Sequence, residues 1–307
     1  MKKGRGLKIG IVGVGAMGEH HARICSTLPG AKLFAVTDLN QERAREIGIR
    51  FGANIFKNYK EMLPLVEAIS IVTPSETHFE IGLECLSMGK HLLIEKPLAK
   101  TSEEAKKLAD YAKAKNLVLA VGLIERFNPA FQELCKLMRK EKIIGIHMKR
   151  FSPFPERIAD ANVIQDMMVH DLDLLLSLLP KDKIESLKAE GSKLKGQQFD
   201  RATAMIYFHS GIIAKVEADR VFGIKTRKIT VTTERCLIEA DLLNKRVYIR
   251  YMHHHIPSVH FTRTYDQLSA ELSDFVKAIK SGSRPKATAE DGYQALKLAE
   301  EVEHACS

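Results

Sequence analysis

The 307-residue chain lacks the features that mark several large classes of protein. No apolar run approaches the roughly 20 residues of a membrane span, "HLLI" and "LVLAVG" being typical, so no membrane partner is expected. The opening "MKKGRG" leads into a strand without a signal-peptide core, which gives a cytoplasmic protein as the expectation. There is no CxxC pair: Cys25, Cys85, Cys135, Cys236 and Cys306 are scattered and odd in number, arguing against a zinc site or disulfide framework and for reduced thiols. Internal repeats and low-complexity linkers are missing too. The basic residues behind the net charge of +9 gather in no block or recognition motif, so nucleic acid is not an expected partner, and an anionic small ligand suits the charge equally well. "MHHHIPSVH" holds His253, His254, His255 and His260, but adjacent strand residues face opposite ways and three successive imidazoles cannot converge on one ion. No metal is expected.

What is present is ordinary for a soluble globular protein: 45% hydrophobic and 28% charged residues, with length for about two domains. From Leu7 to about Gly122, short buried strands ("LKIGIV", "KLFAVT", "AISIVT", "HLLIE", "LVLAV") alternate with amphipathic helices, the pattern of a parallel sheet wrapped by helices. After Phe127 the pattern changes. A helix at "NPAFQELCKLMRK" and another around residues 163–179 accompany strands that follow one another through short turns, from "IGIHMKRF" to "RVYIRY", and imply antiparallel pairing. The expectation is an α/β Rossmann domain over residues 1–124 and a C-terminal α+β domain over 125–307 with a mostly antiparallel open sheet. Two helices close the chain, and the last of them can pack back on the first domain.

"LKIGIVGVGAMGEHHARI" sets Gly13, Gly15 and Gly18 in GxGxxG spacing between a buried strand and a helix, with Ala16 and Met17 in the loop. The glycines suit a tight turn, backbone approach to a pyrophosphate, and close helix-to-strand packing. Asp38 ends the next strand, 38 − 18 = 20 residues beyond the third glycine, where a carboxylate accepts from ribose hydroxyls and repels a 2′-phosphate. This favours NAD over NADP, although nearby Arg43 could serve a 2′-phosphate. Two later strand ends, "SIVTPSETH" and "IEKP", deliver Thr73, Pro74, Thr77, His78, Glu95 and Lys96 to the ligand-binding edge of such a sheet.

GxGxxG, "IVTPSETH", "EKP", "ERFNP" and "DMMVHDLD", in that order across essentially the whole chain, resemble the glucose-fructose oxidoreductase, inositol dehydrogenase and MocA family. The resemblance implies an NAD-dependent enzyme that oxidises or reduces a hydroxyl of a sugar, cyclitol or nucleotide sugar, with Lys96, Asp166 and His170 at the catalytic positions. It also implies a C-terminal sheet that forms a subunit interface, hence a homo-dimer or tetramer. Met168 stands where many members have glycine and would narrow the pocket. The combination of "ERFNPAF", "PFPERI" and "MMVHDLD" is similar to the branch that oxidises UDP-N-acetylglucosamine to a 3-keto product, with inositol or a free aldose as alternatives. A non-catalytic NAD-responsive regulator is the alternative of another class.

The helix in "VIQDMMVHDLDLLLSLL" is apolar on nearly every side yet carries Asp166, His170, Asp171 and Asp173. Asp166, His170 and Asp173 follow at spacings of four and three and share a stripe, while Met168, Leu172, Leu175, Leu176 and Leu179 form a packing face. Alcohol oxidation needs a base with a pKa near the working pH, and His170 fits best. Asp166 one turn earlier orients the ring, and Lys96 steadies the developing alkoxide. Asp173 is read equally as a substrate contact or an ion-pair partner. Arg126, Asn128 and Arg157, with Arg150, suit a phosphate or carboxylate of the substrate, salt bridges being the competing reading.

Overall fold

The computed structural model describes residues 6–154, 162–252, 258–262 and 265–306. Two units divide the chain: Met1–Ile124 with Asp266–Gln294, and Glu125–Tyr265 with Ala295–Ser307. The sequence reading kept residues 266–294 with the second domain apart from a returning last helix. They group instead with the first unit, because the apolar stripe Leu268, Leu272, Phe275 and Val276 joins its core.

The first unit alternates β1 (Leu7–Val12), α1 (Ala16–Thr27), β2 (Ala31–Thr37), α2 (Gln41–Phe51), β3 (Asn54–Ile55), α3 (Tyr59–Met62), β4 (Ala68–Ile71), α4 (His78–Ser87), β5 (His91–Glu95), α5 (Ser102–Ala114) and β6 (Leu119–Gly122). The sheet order is β3-β2-β1-β4-β5-β6, every pair parallel. The reversal beside β1 makes the switch point at which doubly wound sheets take nucleotides. Local chemistry sets the helix starts. Asn40 accepts from the amides of Glu42 and Arg43 to begin α2, and Thr101 with Glu104 forms the capping box of α5.

The second unit runs α6 (Pro129–Met138), β7 (Ile143–Phe151), a π-helical turn (Ile164–Met168) leading into α7 (Val169–Leu178), then β8 (Ile184–Ser192), β9 (Arg201–Phe208), β10 (Ile213–Asp219), β11 (Thr226–Thr233), β12 (Cys236–Asp241), β13 (Arg246–Tyr251) and β14 (Ser258–Phe261). Its eight strands lie in the order β14-β13-β12-β11-β7-β10-β9-β8, and all neighbours are antiparallel except β7 and β10. Alternation along the strands buries one face, for example Ile146, Met148, Ile206, Val216, Ile229 and Val231, against apolar residues of α6 and α7. Each such side chain contributes roughly 1.5–3 kcal/mol on burial. Met168 is fully buried in this core, so it packs rather than narrowing a pocket.

The chain then enters α8 (Gln267–Ser281), capped by Asp266 on the Leu268 amide, and α9 (Ala289–Ala305), whose residues from Ala295 belong to the second unit. No helix of the described residues is long and apolar enough to cross a membrane. The five cysteines are unpaired; burial pushes the Cys25 and Cys85 thiols up to about 12 and Cys135 up to about 11, so they stay protonated.

Candidate active site

The glycine loop has the expected shape. Gly13 has φ +87° and a Cβ there would meet the Val72 carbonyl oxygen at 2.6 Å, so a side chain is excluded twice over. A Cβ on Gly18 would lie 2.0 Å from the Gly13 oxygen, which is how closely α1 packs on the loop. Gly15, Ala16 and Met17 are exposed, with nothing within 4 Å of a Cβ on Gly15. This leaves an open backbone cradle at the start of a twelve-residue helix, where unpaired amides favour phosphate.

Asp38 fixes that cradle. Its Oδ2 accepts from the Val14 amide at 2.7 Å and its Oδ1 from the Asn40 amide at 2.8 Å. Arg43 is committed elsewhere: Nε donates to the Val14 carbonyl at 3.1 Å, Nη1 to Glu46 at 2.6 Å, and Nη2 to Glu19. A 2′-phosphate would therefore meet the Asp38 charge and compete with two carboxylates for the arginine. Open glycine loop, helix start and acidic strand end together fit NAD.

At the neighbouring strand ends, His78 is buried, with Nδ1 2.8 Å from the Pro97 carbonyl oxygen and Nε2 2.8 Å from the Thr73 carbonyl oxygen. The ring ties the end of β4 to the loop after β5. Thr73 Oγ1 accepts from Thr77 Oγ1, and the Pro74 carbonyl accepts from the same hydroxyl. Glu95 Oε2 accepts from the Lys96 amide at 3.2 Å, and its Oε1 lies 3.0 Å from Nε2 of the fully buried His21. Thr73, Pro74, His78, Glu95 and Lys96 thus share one edge of one sheet. His21 was missed in the sequence; its position one turn after Gly18 was the available signal.

In the second unit, the four ionisable groups near the start of α7 separate into two pairs. Asp171 is buried and takes Arg150 Nε at 2.7 Å and Nη2 at 3.0 Å. Asp173 is 1% exposed and takes Arg126 Nε at 3.0 Å on both oxygens and Nη2 at 2.6 Å. Asp173 therefore leaves the expected stripe, and of its two readings the structure shows the ion pair. Asp166 and His170 are half-buried, flanking the junction between the π-helical turn and α7. Such turns insert an extra residue per turn and recur at functional sites.

The arginines close a buried network. Glu125 Oε1 receives Arg150 Nη1 at 3.0 Å and Arg227 Nη1 at 2.9 Å. Burial alone would raise the Glu125 carboxyl, but Arg150, Arg227 and Asn128 outweigh it and hold the group below the ordinary carboxylate value. Asn128 caps α6 at the Ala130 amide and donates to Glu125 and to the Leu242 carbonyl, each at 3.0 Å. Arg126, Asn128 and Asp173, which the sequence left open to substrate contact or to pairing within the protein, all have structural tasks here. Arg157 and His253 to His255 lie outside the described residues.

Comparison with known proteins follows the same division. A family model described as an oxidoreductase family with an NAD-binding Rossmann fold matches residues 7–123, and a GFO/IDH/MocA C-terminal domain matches residues 144–239. The chain is 33% identical over 285 residues to UDP-N-acetylglucosamine 3-dehydrogenase of Acidithiobacillus ferrooxidans, covering 89% of this chain and 88% of that protein. A solved structure of that enzyme superposes with a TM-score of 0.92, covering 98% of both chains. Myo-inositol 2-dehydrogenase of Thermotoga maritima is 27% identical over 320 residues, covering 95% of this chain and 94% of that protein.

Proposed function

The chain belongs to the GFO/IDH/MocA oxidoreductase family, and from that premise we propose that it oxidises the 3-hydroxyl of UDP-N-acetylglucosamine to a ketone with NAD as acceptor. It is an NAD-binding dehydrogenase acting on CH–OH groups. The observation that carries the substrate reading is the 33% identity to an enzyme named for that sugar nucleotide, spread over nearly nine-tenths of both chains.

Bound NAD would supply the hydride acceptor for the carbinol carbon, and the residues of this chain do the rest. Amides at the start of α1 and in the glycine loop hold the pyrophosphate, and Asp38 takes the adenosine ribose. His170 removes the hydroxyl proton at an imidazole nitrogen, Asp166 orients that ring, and Lys96 stabilises the negative charge that develops on oxygen. Thr73, Pro74 and His78 shape the strand end beside Lys96. The buried arginine network frames the second unit rather than gripping substrate, and Arg157 remains our candidate for the diphosphate.

Half-buried polar residues on the far face of the eight-stranded sheet, among them His147, Lys149, Glu217 and Tyr248, suit contact with a second copy of the chain, and we read the enzyme as a cytoplasmic dimer or tetramer. The 27% identical relative favours myo-inositol as the second candidate substrate. The test is formation of reduced nicotinamide, followed by absorbance, with UDP-N-acetylglucosamine, myo-inositol and glucose in parallel. Turnover highest with the sugar nucleotide is expected. Turnover with inositol alone replaces the substrate, and none with any hydroxyl compound despite tight NAD binding favours a regulator.

A further inference from the structure

The first unit contains a group that this chemistry leaves unused. Glu271, in the middle of α8, is 2% exposed, and neither carboxyl oxygen has a hydrogen-bond partner among the described residues. Gln267, one turn earlier, has a buried Nε2 in the same state. Buried polar groups are nearly always paired, and a lone buried carboxyl resolves the conflict by keeping its proton. Burial first, then the charges of Glu95 and Asp274, push Glu271 well above the ordinary carboxylate value.

Both oxygens of Glu95 are held. His21 of α1 holds Oε1, the Lys96 amide donates to Oε2, and a Cβ on Gly122 of β6 would come within 2.7 Å of Oε2, so a side chain there would push the carboxylate from its place. His21 Nδ1 lies 2.8 Å from the Ser70 hydroxyl of β4. A hydroxyl donating to Nδ1 leaves Nε2–H to donate to Glu95, which satisfies the whole chain of bonds.

Resting on the reading of Lys96 as the group that steadies the alkoxide, we propose that the Glu95 carboxylate is a bracket that sets the Lys96 peptide, and that His21 and Glu271 are the positioning residues that hold it. His21 fixes one oxygen and thereby aims the other at the Lys96 amide. Glu271, while it keeps its proton, lets a second carboxyl sit beside Glu95 without driving it from the imidazole. Among the described residues, the charged groups that act on Glu271 are Glu95 of β5 and Asp274 of its own helix, and His21 of α1 pairs with Glu95. Both carboxylates are acidic neighbours, so ionisation of Glu271 at alkaline pH adds repulsion and loosens the bracket.

The test measures kcat and KM for NAD with UDP-N-acetylglucosamine from neutral to alkaline pH, with folding checked by thermal melts. His21→Leu is expected to lower kcat about tenfold or more with a smaller change in KM, because a displacement near 1 Å costs up to roughly 10²-fold. His21→Gln, which keeps an amide donor at the Nε2 position, recovers most of that loss. Glu271→Gln, normalised to its own rate at neutral pH, holds activity further into the alkaline range than the wild type. A folded His21→Leu enzyme with wild-type kcat, or a Glu271→Gln enzyme with the wild-type alkaline limb, overturns the proposal when Lys96→Ala is inactive. If His21→Leu does not fold, His21→Gln and Glu271→Gln decide: loss of kcat in both at every pH makes the residues merely structural and also overturns it. A Lys96→Ala enzyme with wild-type kcat overturns the reading of Lys96 and the bracket with it.

Discussion

In the first unit the ionisable side chains around the candidate site close largely on backbone: Asp38 takes the Val14 and Asn40 amides, Glu95 takes the Lys96 amide beside its bond to His21, and His78 spans the carbonyls of Thr73 and Pro97. In the second unit they close on one another: Arg126 on Asp173, Arg150 on Asp171 and Glu125, Arg227 on Glu125. The first arrangement shapes loops at strand ends without using up every lone pair. The second joins segments up to 102 residues apart and satisfies each charge by another. The same residue types therefore hold a ligand cradle in one unit and a buried frame in the other, according to what they meet on folding.

The sharpest way to break this comparison is to remove one buried partner. Asp171→Ala takes away the carboxylate that holds two of the Arg150 nitrogens and leaves that buried guanidinium only Glu125, which it shares with Arg227, and the expected loss is up to roughly 3–5 kcal/mol of stability, read from denaturant unfolding. A loss below about 1 kcal/mol would show that the frame is incidental. Next in size, Lys96→Ala and His170→Ala should each lower kcat by about 10²–10⁴-fold while NAD binding and the thermal midpoint change little. Unfolding of either variant would place these residues in the frame instead. Asp38→Ala should weaken NAD binding by roughly tenfold or more, the scale of hydrogen bonds to a charged acceptor. Calorimetric titration reads it, and unchanged affinity would detach Asp38 from the cradle.

The most gradual effect concerns Glu271. Its raised carboxyl costs nothing below the ordinary value of 4.5, where folded and unfolded chains both carry the proton. Above that, the unfolded chain releases the proton and the folded chain keeps it, so stability falls by up to about 1.4 kcal/mol per pH unit until the folded group also ionises. The stability difference between Glu271→Gln and wild type should therefore grow in favour of the variant from pH 5 upward. A difference independent of pH would mean that Glu271 is ionised in the folded protein.

Much of the first unit was legible because its signals are local. Three glycines, an acidic strand end twenty residues on, and short apolar runs between capped helices all lie within a few tens of residues. The second unit resisted for the opposite reason. Nothing near Asp173 in sequence marks Arg126 as its partner, and the π-helical turn at Ile164–Met168 interrupts a stripe that regular spacing makes look continuous. Residues 266–294 read as a generic amphipathic segment, since a stripe such as Leu268, Leu272 and Phe275 shows that a helix packs but not on which core. Glu271 sits between two of those leucine positions and, with its formal charge, reads as a surface residue.

The central proposal is that Lys96 and His170 both serve the hydroxyl that is oxidised, and a crystal structure with NAD and UDP-N-acetylglucosamine tests it most directly. The account predicts the sugar C3 facing the reactive carbon of the nicotinamide, with the 3-hydroxyl within hydrogen-bond distance of both side chains. A bound sugar whose hydroxyls reach neither group, or Lys96 and His170 lining separate cavities, would contradict it.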